Sequence, residues 1–112
     1  MNSIPLNRDI VNKITTLLTR YIVGFQTNYR EELRSILPPS IIDLGTIVFE
    51  NIAGTVVTKI KNDSGSIEYI CRLCGKKFSS RKGLYLHMRR IHLGDLSDLY
   101  IIELKKLLEE YW

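Results

Sequence analysis

The chain contains only two cysteines and two histidines, and their spacing constrains the fold more than any other feature. Two residues separate Cys71 from Cys74, twelve separate Cys74 from His87, and four separate His87 from His92. A CxxC knuckle offers two thiolates to one ion, and two histidines about one turn apart offer two imidazoles from one face of a helix. The spacing predicts one four-coordinate structural zinc ion, with no open position for water or substrate.

Three apolar residues stand at fixed distances from these ligands. Tyr69 lies two residues before the first cysteine, Phe78 four after the second, and Leu84 three before the first histidine. Residues 69–92 therefore fit the pattern aromatic-x-Cys-x2-Cys-x3-Phe-x5-Leu-x2-His-x4-His and resemble the Cys2His2 zinc-finger family at every position. The resemblance implies a ββα unit with a small apolar core over one zinc ion. The zinc ligands it implies are Cys71, Cys74, His87 and His92.

Other interpretations of the cysteines are weaker. A redox-active CxxC motif needs no histidines at ligand spacing downstream, and a disulfide needs an oxidising compartment that the sequence does not indicate. Because the metal site uses every cysteine and histidine of the chain, no catalytic constellation remains, and we expect no enzymatic activity.

The net charge of +4 is unevenly distributed along the chain. Residues 1–68 carry seven basic and seven acidic side chains, and residues 94–112 carry two basic and five acidic ones. Residues 69–93 carry seven basic side chains and no acidic one. A basic surface without acids is typical of proteins that bind phosphates, so DNA is the predicted partner.

The resemblance also indicates which side chains would meet DNA. In that family helix positions −1, 3 and 6 read bases, and they correspond here to Ser80, Gly83 and Leu86, none of which can make a bidentate base contact. Phosphate contacts are predicted for the basic residues around them. The complete predicted set is Lys76, Lys77, Ser80, Arg81, Lys82, Leu86, Arg89 and Arg90. One finger spans about 3 bp, so a specific regulator needs a second contact from elsewhere.

Apolar residues at helical spacing predict two helices at the start of the chain. The first begins after Asn7, which can cap it, and ends near Gly24. The second begins after Asn28, with Glu31 completing a variant of the capping box, and stops at Pro38.

A third helix is predicted over residues 41–53. Ser40, with Asp43 three residues later, is its capping signal. Gly54 follows the last apolar position and is predicted to be the left-handed residue past the helix end. Gly45, inside the same stretch, is unfavourable for a helix.

A β-hairpin is predicted next. Residues 55–61 and 66–70 are rich in β-branched residues, and Asn-Asp-Ser-Gly at 62–65 is turn material. Tyr69 belongs both to the second strand of this hairpin and to the first strand of the finger. We therefore expect no flexible linker between the finger and the residues before it.

Three helices followed by a hairpin is the element order of a winged helix-turn-helix, which residues 1–68 weakly resemble. Residues 41–53 correspond to the recognition helix of such a domain. They carry two acidic residues and no basic one, which is unfavourable for entering a groove lined by phosphates. A core or subunit contact is favoured for this stretch. Only Lys59 and Lys61, on the hairpin, could touch a phosphate backbone.

An amphipathic helix is predicted at the end of the chain. Gly94 is expected to end the finger's helix, and Asp95 or Ser97 to begin the last one. Its wide apolar face is expected to pack on the N-terminal helices, and the alternative is a homodimer seam or a contact with a protein partner. The face comprises Leu96, Leu99, Tyr100, Ile101, Ile102, Leu104, Leu107, Leu108, Tyr111 and Trp112.

These patterns predict an α+β protein. Its parts are a helical and hairpin domain (1–68), a Cys2His2 finger (69–93) and a C-terminal amphipathic helix (94–112). We expect a zinc-binding, DNA-binding protein that regulates transcription, with a protein-interaction module as the first alternative and an RNA-binding protein as the second. A single finger in a small protein resembles those of archaea and their viruses more than the tandem arrays of eukaryotic factors.

The location of the protein follows from what the sequence lacks. No charged-then-apolar leader opens the chain, and charged residues interrupt its most apolar run, residues 41–60. We expect no membrane partner and an intracellular protein, in the cytoplasm of a prokaryotic host or in a eukaryotic nucleus.

Overall fold

The structure, a computed structural model, describes residues 6–111. Within this range the chain forms α-helices, one 3₁₀ turn and a three-stranded antiparallel sheet, which confirms the predicted α+β class. The elements in chain order are α1 (Arg8–Ile22), α2 (Tyr29–Ile36), the 3₁₀ turn (Pro39–Ile41), α3 (Ile42–Thr55), β1 (Val57–Lys61), β2 (Ile67–Cys71), β3 (Lys77–Phe78), α4 (Arg81–Ile91) and α5 (Leu93–Tyr111).

The first two helices lie where the periodicity places them. Asn7 caps α1 by accepting a hydrogen bond from the Ile10 N–H at 2.9 Å, and Gly24 adopts a φ of +81° just past its end, as predicted. Asn28 stands at the N-cap of α2 but makes no capping hydrogen bond through its side chain, so the predicted capping box is wrong. The backbone of Asn28 is not in the extended conformation that places a capping side chain over the first turn.

The ends of α3 differ from the prediction. The 3₁₀ turn containing Ser40 leads into α3, and Ile41, which has no side chain able to cap, occupies the N-cap. The helix continues through Gly54, whose φ is not positive, to Thr55, so Gly54 is not a left-handed stop. The helix ends because the chain joins the sheet at Val57, directly after the C-cap residue.

The sheet links the hairpin to the finger. Its strand order is β1-β2-β3, and the hairpin turn contains Gly65 at a φ of +86°. Tyr69, in β2, pairs with Lys59 of β1 on one side and with Phe78 of β3 on the other. The strand shared by hairpin and finger is therefore confirmed. The order of three helices before a hairpin is also observed, while the resemblance to a winged helix stays a prediction.

Helix α5 packs against α1 and α3. Leu96, Tyr100 and Leu104 are fully buried, and the Ser97 and Thr15 hydroxyls are hydrogen-bonded at 2.8 Å. The predicted packing is thus observed for most of the described apolar face, since Leu99, Leu107 and Leu108 also pack partly buried against the core, whereas Ile102 is half exposed. The predicted contributions of Tyr111 and Trp112 lie outside what the structure describes.

The junction between α4 and α5 corrects another prediction. Gly94 has no positive φ and lies in the first turn of α5, which begins at Leu93 and not at Asp95 or Ser97. Only His92 separates the two helices, and its carbonyl accepts the N–H of Leu96 at 2.9 Å. Between residues 6 and 111, none of the helices combines the length and apolar character needed to cross a membrane.

Candidate metal centre and nucleic-acid interface

The four predicted zinc ligands come from three neighbouring elements. Cys71 ends β2, Cys74 lies in the knuckle after it, His87 lies in α4, and His92 is the C-cap of that helix. The knuckle closes because the N–H of Gly75, at a φ of +82°, donates to the Cys71 carbonyl at 2.7 Å. This left-handed glycine turns the chain so that both sulfurs lie on one side.

The ligand atoms lie close enough for one ion. All four are within 4.8 Å of one another, and the Cys74 Sγ is 3.3 Å from the His87 Nε2. Around a tetrahedral zinc with bonds of about 2.0–2.3 Å, ligand atoms are about 3.3–3.8 Å apart. The observed arrangement needs only small side-chain adjustments to reach that geometry.

His92 gives independent support for a metal. Its ring is buried, and its Nε2 has no hydrogen-bond partner among the described residues. A buried polar atom without a partner is costly unless an ion or water satisfies it. The Nδ1 of the same ring donates to the Asp95 Oδ2 at 2.8 Å, which leaves the Nε2 lone pair directed at the site.

The local electrostatics favour the ligand forms at two of these positions. The neighbouring imidazole of His92 and the N–H of Lys76 lower the pKa of the Cys74 thiol. Burial lowers the pKa of His87, and the nearby His92 and Lys76 add to this effect. Burial raises the pKa of Cys71, and backbone N–H groups of the knuckle oppose that rise. Zinc binds thiolates and neutral imidazoles, so Cys74 and His87 are the better prepared ligands.

The small core over the site contains the predicted residues and one more. Tyr69 and Leu84 are buried, and Phe78 packs against the His87 ring with centroids 4.6 Å apart. The additional residue is Met88, which is fully buried with its sulfur 3.8 Å from the Cys71 Sγ. Its position four residues after Leu84, on the same helix face, is the signal that could have identified it.

Comparison with known families identifies the segment that carries the site. Residues 69–92 match the family model described as Zinc finger, C2H2 type. These residues form a C2H2 zinc finger in which four side chains are arranged to bind one zinc ion. Among curated proteins no significant match is found, and none is found among solved structures. The family is therefore assigned to this segment and not to the whole chain.

The finger helix exposes a distinct basic face. Because successive residues are about 100° apart around a helix, Lys82, Leu86 and Arg89 lie on one side of α4, and Arg90 borders them. Lys82, Arg89 and Arg90 are exposed, and Leu86 is half-buried. The structure thus brings four of the predicted nucleic-acid-binding residues together.

The other predicted residues lie elsewhere. Arg81 lies beside the C-terminal end of α1, where a Cβ added to Gly24 would be 3.0 Å from its Nη1. Lys77 pairs with Ile70, so its side chain points to the sheet face opposite that of Phe78. The Ser80 Oγ caps α4 by accepting the Gly83 N–H at 3.0 Å. Lys76 is exposed in the knuckle region.

The contact between His92 and Asp95 leads to a prediction about zinc affinity. We expect Asp95→Asn to weaken zinc binding by roughly 10- to 100-fold, because loss of a partner that orients a metal-bound imidazole has effects of that size. Competition with a chromophoric chelator measures the dissociation constant. Asp98→Asn, an exposed aspartate one turn further along α5, is the matched control and should leave zinc affinity unchanged. Equal affinities of the two variants would contradict a role of Asp95 at the metal.

Proposed function

We propose that the protein binds duplex DNA through the exposed face of α4 and regulates transcription. The observation that carries this proposal is the charge of the finger surface. Residues 69–93 contain seven basic and no acidic side chains. None of these lysines and arginines forms an ion pair with another described residue. Three of them, Lys82, Arg89 and Arg90, place free positive charge on one exposed face of α4, which supports binding to phosphates.

The same face supports affinity more than sequence discrimination. The Ser80 oxygen already accepts a backbone hydrogen bond, and Gly83 has no side chain to offer. Leu86 can contact a thymine methyl but cannot form a hydrogen bond with a base. Most of the binding free energy would therefore come from contacts to the DNA backbone, which position a protein without reading the sequence.

A regulatory role follows from this proposed binding together with the closed metal site. Four protein ligands leave no coordination position for a substrate, so the zinc would support the fold and perform no chemistry. A protein that occupies DNA without altering it acts by controlling access to that DNA. Its place of action would be the compartment that holds the DNA, a prokaryotic cytoplasm or a nucleus.

The protein-interaction alternative has less support. It rests on the apolar face of α5, but Leu96, Tyr100 and Leu104 of that face are buried within the same chain. Ile102, which is half exposed, remains accessible on α5. A salt series on DNA and RNA distinguishes a homodimer or partner contact through α5, and a preference for RNA, from DNA binding.

We expect binding to random-sequence duplex DNA whose affinity falls steeply with salt. Each phosphate contact adds about 0.9 to the slope of log affinity against log salt. Lys82→Ala should reduce that slope by about one unit. Lys105→Ala, an exposed lysine on α5, is the control and should leave the slope unchanged. Fluorescence anisotropy across a salt series measures all three proteins.

Two results would contradict the proposed DNA binding, and a third would contradict the weak sequence discrimination. A flat salt response of the wild-type protein would favour the protein-partner alternative, and tighter binding to duplex RNA would favour RNA. A selection from random DNA that returns a sharp three-base motif, lost in Leu86→Ala, would show that the finger reads sequence. In that case a discrimination of about 1–3 kcal/mol per base would have to come from a face without bidentate donors.

A further inference from the structure

We infer that the β1–β2 hairpin is a second DNA contact, in which Lys59 and Lys61 bind the phosphate backbone beside the groove that α4 enters. The inference rests on the proposed function, since it extends the surface that binds duplex DNA. Neither lysine belongs to the finger segment, because β1 ends eight residues before that segment begins at residue 69. The hairpin would therefore give this single finger a contact that its own segment lacks.

The register of the sheet decides where the lysines point. Lys59 pairs with Tyr69, and Tyr69 pairs with Phe78. Directly paired residues share a face of a sheet, and residues two apart in a strand also share it. Lys59 and Lys61 therefore project from the same face as Tyr69 and Phe78.

That face is the one that carries the finger helix. Phe78 lies next to α4. A Cβ atom placed on Gly83 of that helix would be 3.6 Å from the Phe78 Cδ1. Cys71, on the same face of β2, contacts Met88 of α4 through their sulfurs at 3.8 Å. The helix covers β2 and β3, whereas Lys59 and Lys61 on β1 stay exposed. The two lysines thus flank the helix on its own side of the sheet.

The directions of the strands decide which end of α4 the lysines flank. β1 and β3 are both antiparallel to β2, so they run in the same direction. β1 ends at Lys61, where the hairpin turn begins. β3 ends at Phe78, three residues before α4 starts at Arg81 with Ser80 as its N-cap. The N-terminal end of α4 therefore lies at the same end of the sheet as the hairpin turn. In zinc fingers of this type that helix end enters the major groove.

The charge and rigidity of the hairpin suit a contact with phosphates. Glu68 pairs with Ile60, so it lies on the opposite face from the lysines. The turn is held by the Asn62 Oδ1, which accepts the N–H groups of Ser64 at 3.1 Å and Ser66 at 2.9 Å. Neither lysine forms an ion pair within residues 6–111. The Cα atoms of residues two apart in a strand are about 6.8 Å apart, so two free lysines at this spacing can reach successive phosphates of one DNA strand.

The position of β1 also separates this contact from that of the helix. Neighbouring strands are about 4.8 Å apart, so β1 lies about 10 Å from β3 across the sheet. A finger alone covers about 3 bp. The lysines would therefore meet phosphates outside the base pairs that face α4, and the protected stretch of DNA would be longer than one finger can protect.

The test is a salt series on random duplex DNA with the double variant Lys59→Ala/Lys61→Ala. We expect the slope of log affinity against log salt to fall by about 1.8, so that raising the salt from 50 to 200 mM weakens the variant roughly tenfold less than the wild type. The control is Lys105→Ala/Lys106→Ala, which removes the same charge from α5 and should behave as wild type. Hydroxyl-radical footprinting should show a shorter protected stretch for the hairpin variant only.

The outcomes separate this inference from the function on which it rests. If the wild type binds DNA with a steep salt slope but the hairpin variant matches the control, the inference is wrong and the proposed function stands. If the wild type shows no salt-dependent binding to DNA, both the proposed function and this inference are wrong. Thermal unfolding checks that the variants fold. If the alanine variant does not fold, Lys59→Gln/Lys61→Gln replaces it.

Discussion

We expect Cys74→Ser to abolish zinc binding and to unfold the finger. Structural zinc contributes on the order of 10 kcal/mol to the folding of such units, more than any other single feature of this small protein can supply. Cys74 is the best position for the test because its side chain is exposed, whereas Cys71 is buried and its loss would also remove packing. Native mass spectrometry measures the bound zinc, and circular dichroism measures the loss of structure.

The damage should extend beyond the finger. Leu84 and Met88 of α4 belong to the same buried cluster as Leu18 of α1 and Phe49 of α3, and β2 is shared by the hairpin and the finger. We therefore expect chelation of zinc in the wild-type protein to lower the unfolding temperature of the helical part as well. Ser79→Ala, an exposed change near the finger helix, is the control and should retain zinc. Purified protein without zinc, and a circular dichroism spectrum that chelation leaves unchanged, would show that the metal assignment is wrong.

The metal site was predictable because its information is local in the sequence. Zinc accepts few side-chain types, and the path from Cys71 to His92 is short, so residue spacing alone restricts the geometry. The hairpin and α1 were predictable for a similar reason, since the turn at residues 62–65 and the cap at Asn7 depend on neighbouring residues. Such features do not require knowledge of the rest of the fold.

The wrong predictions concern residues whose role is decided by distant parts of the chain. Ser40 and Asn28 are good capping residues, but the backbone that precedes each helix does not place their side chains over its first turn. Gly94 looked like a helix stop, yet α5 begins one residue before it because Leu96 is buried in the core with the N-terminal helices. In these cases tertiary packing outweighed local propensity.

The interface shows the same limit. Residue spacing grouped Arg81 with the other basic residues of α4. In the fold, its side chain lies beside Gly24, just past the C-terminal end of α1. Phe25, the next residue, packs on Tyr85 with ring centroids 5.2 Å apart. One side of the finger helix is therefore occupied by the N-terminal region. The sequence could indicate which residues are charged, but only the fold shows which of them share a face.

Gly45→Ala should destabilise the protein by on the order of 2–4 kcal/mol, although alanine is the better helix former. Gly45 lies inside α3 and is buried, and an added Cβ would be 2.6 Å from the Leu37 Cδ1 and 2.8 Å from the Tyr100 oxygen. Tyr100 is fully buried and donates its hydroxyl to the Gly45 carbonyl at 2.8 Å. The methyl group would displace that hydroxyl and force Leu37 to move within a packed core. Urea denaturation measures the change in the free energy of unfolding.

Gly54→Ala is the matched control, since it makes the same substitution in the same helix. A Cβ at Gly54 would meet no atom within 4 Å, and its backbone is helical, so alanine should stabilise the protein by up to about 1 kcal/mol. The two variants should therefore have effects of opposite sign. If both substitutions stabilise the protein, α5 does not approach α3 closely at Gly45. Gly45→Ala combined with Tyr100→Phe separates the causes, because removing the hydroxyl should reduce the effect of the added methyl group if contact with Tyr100 is a main cause.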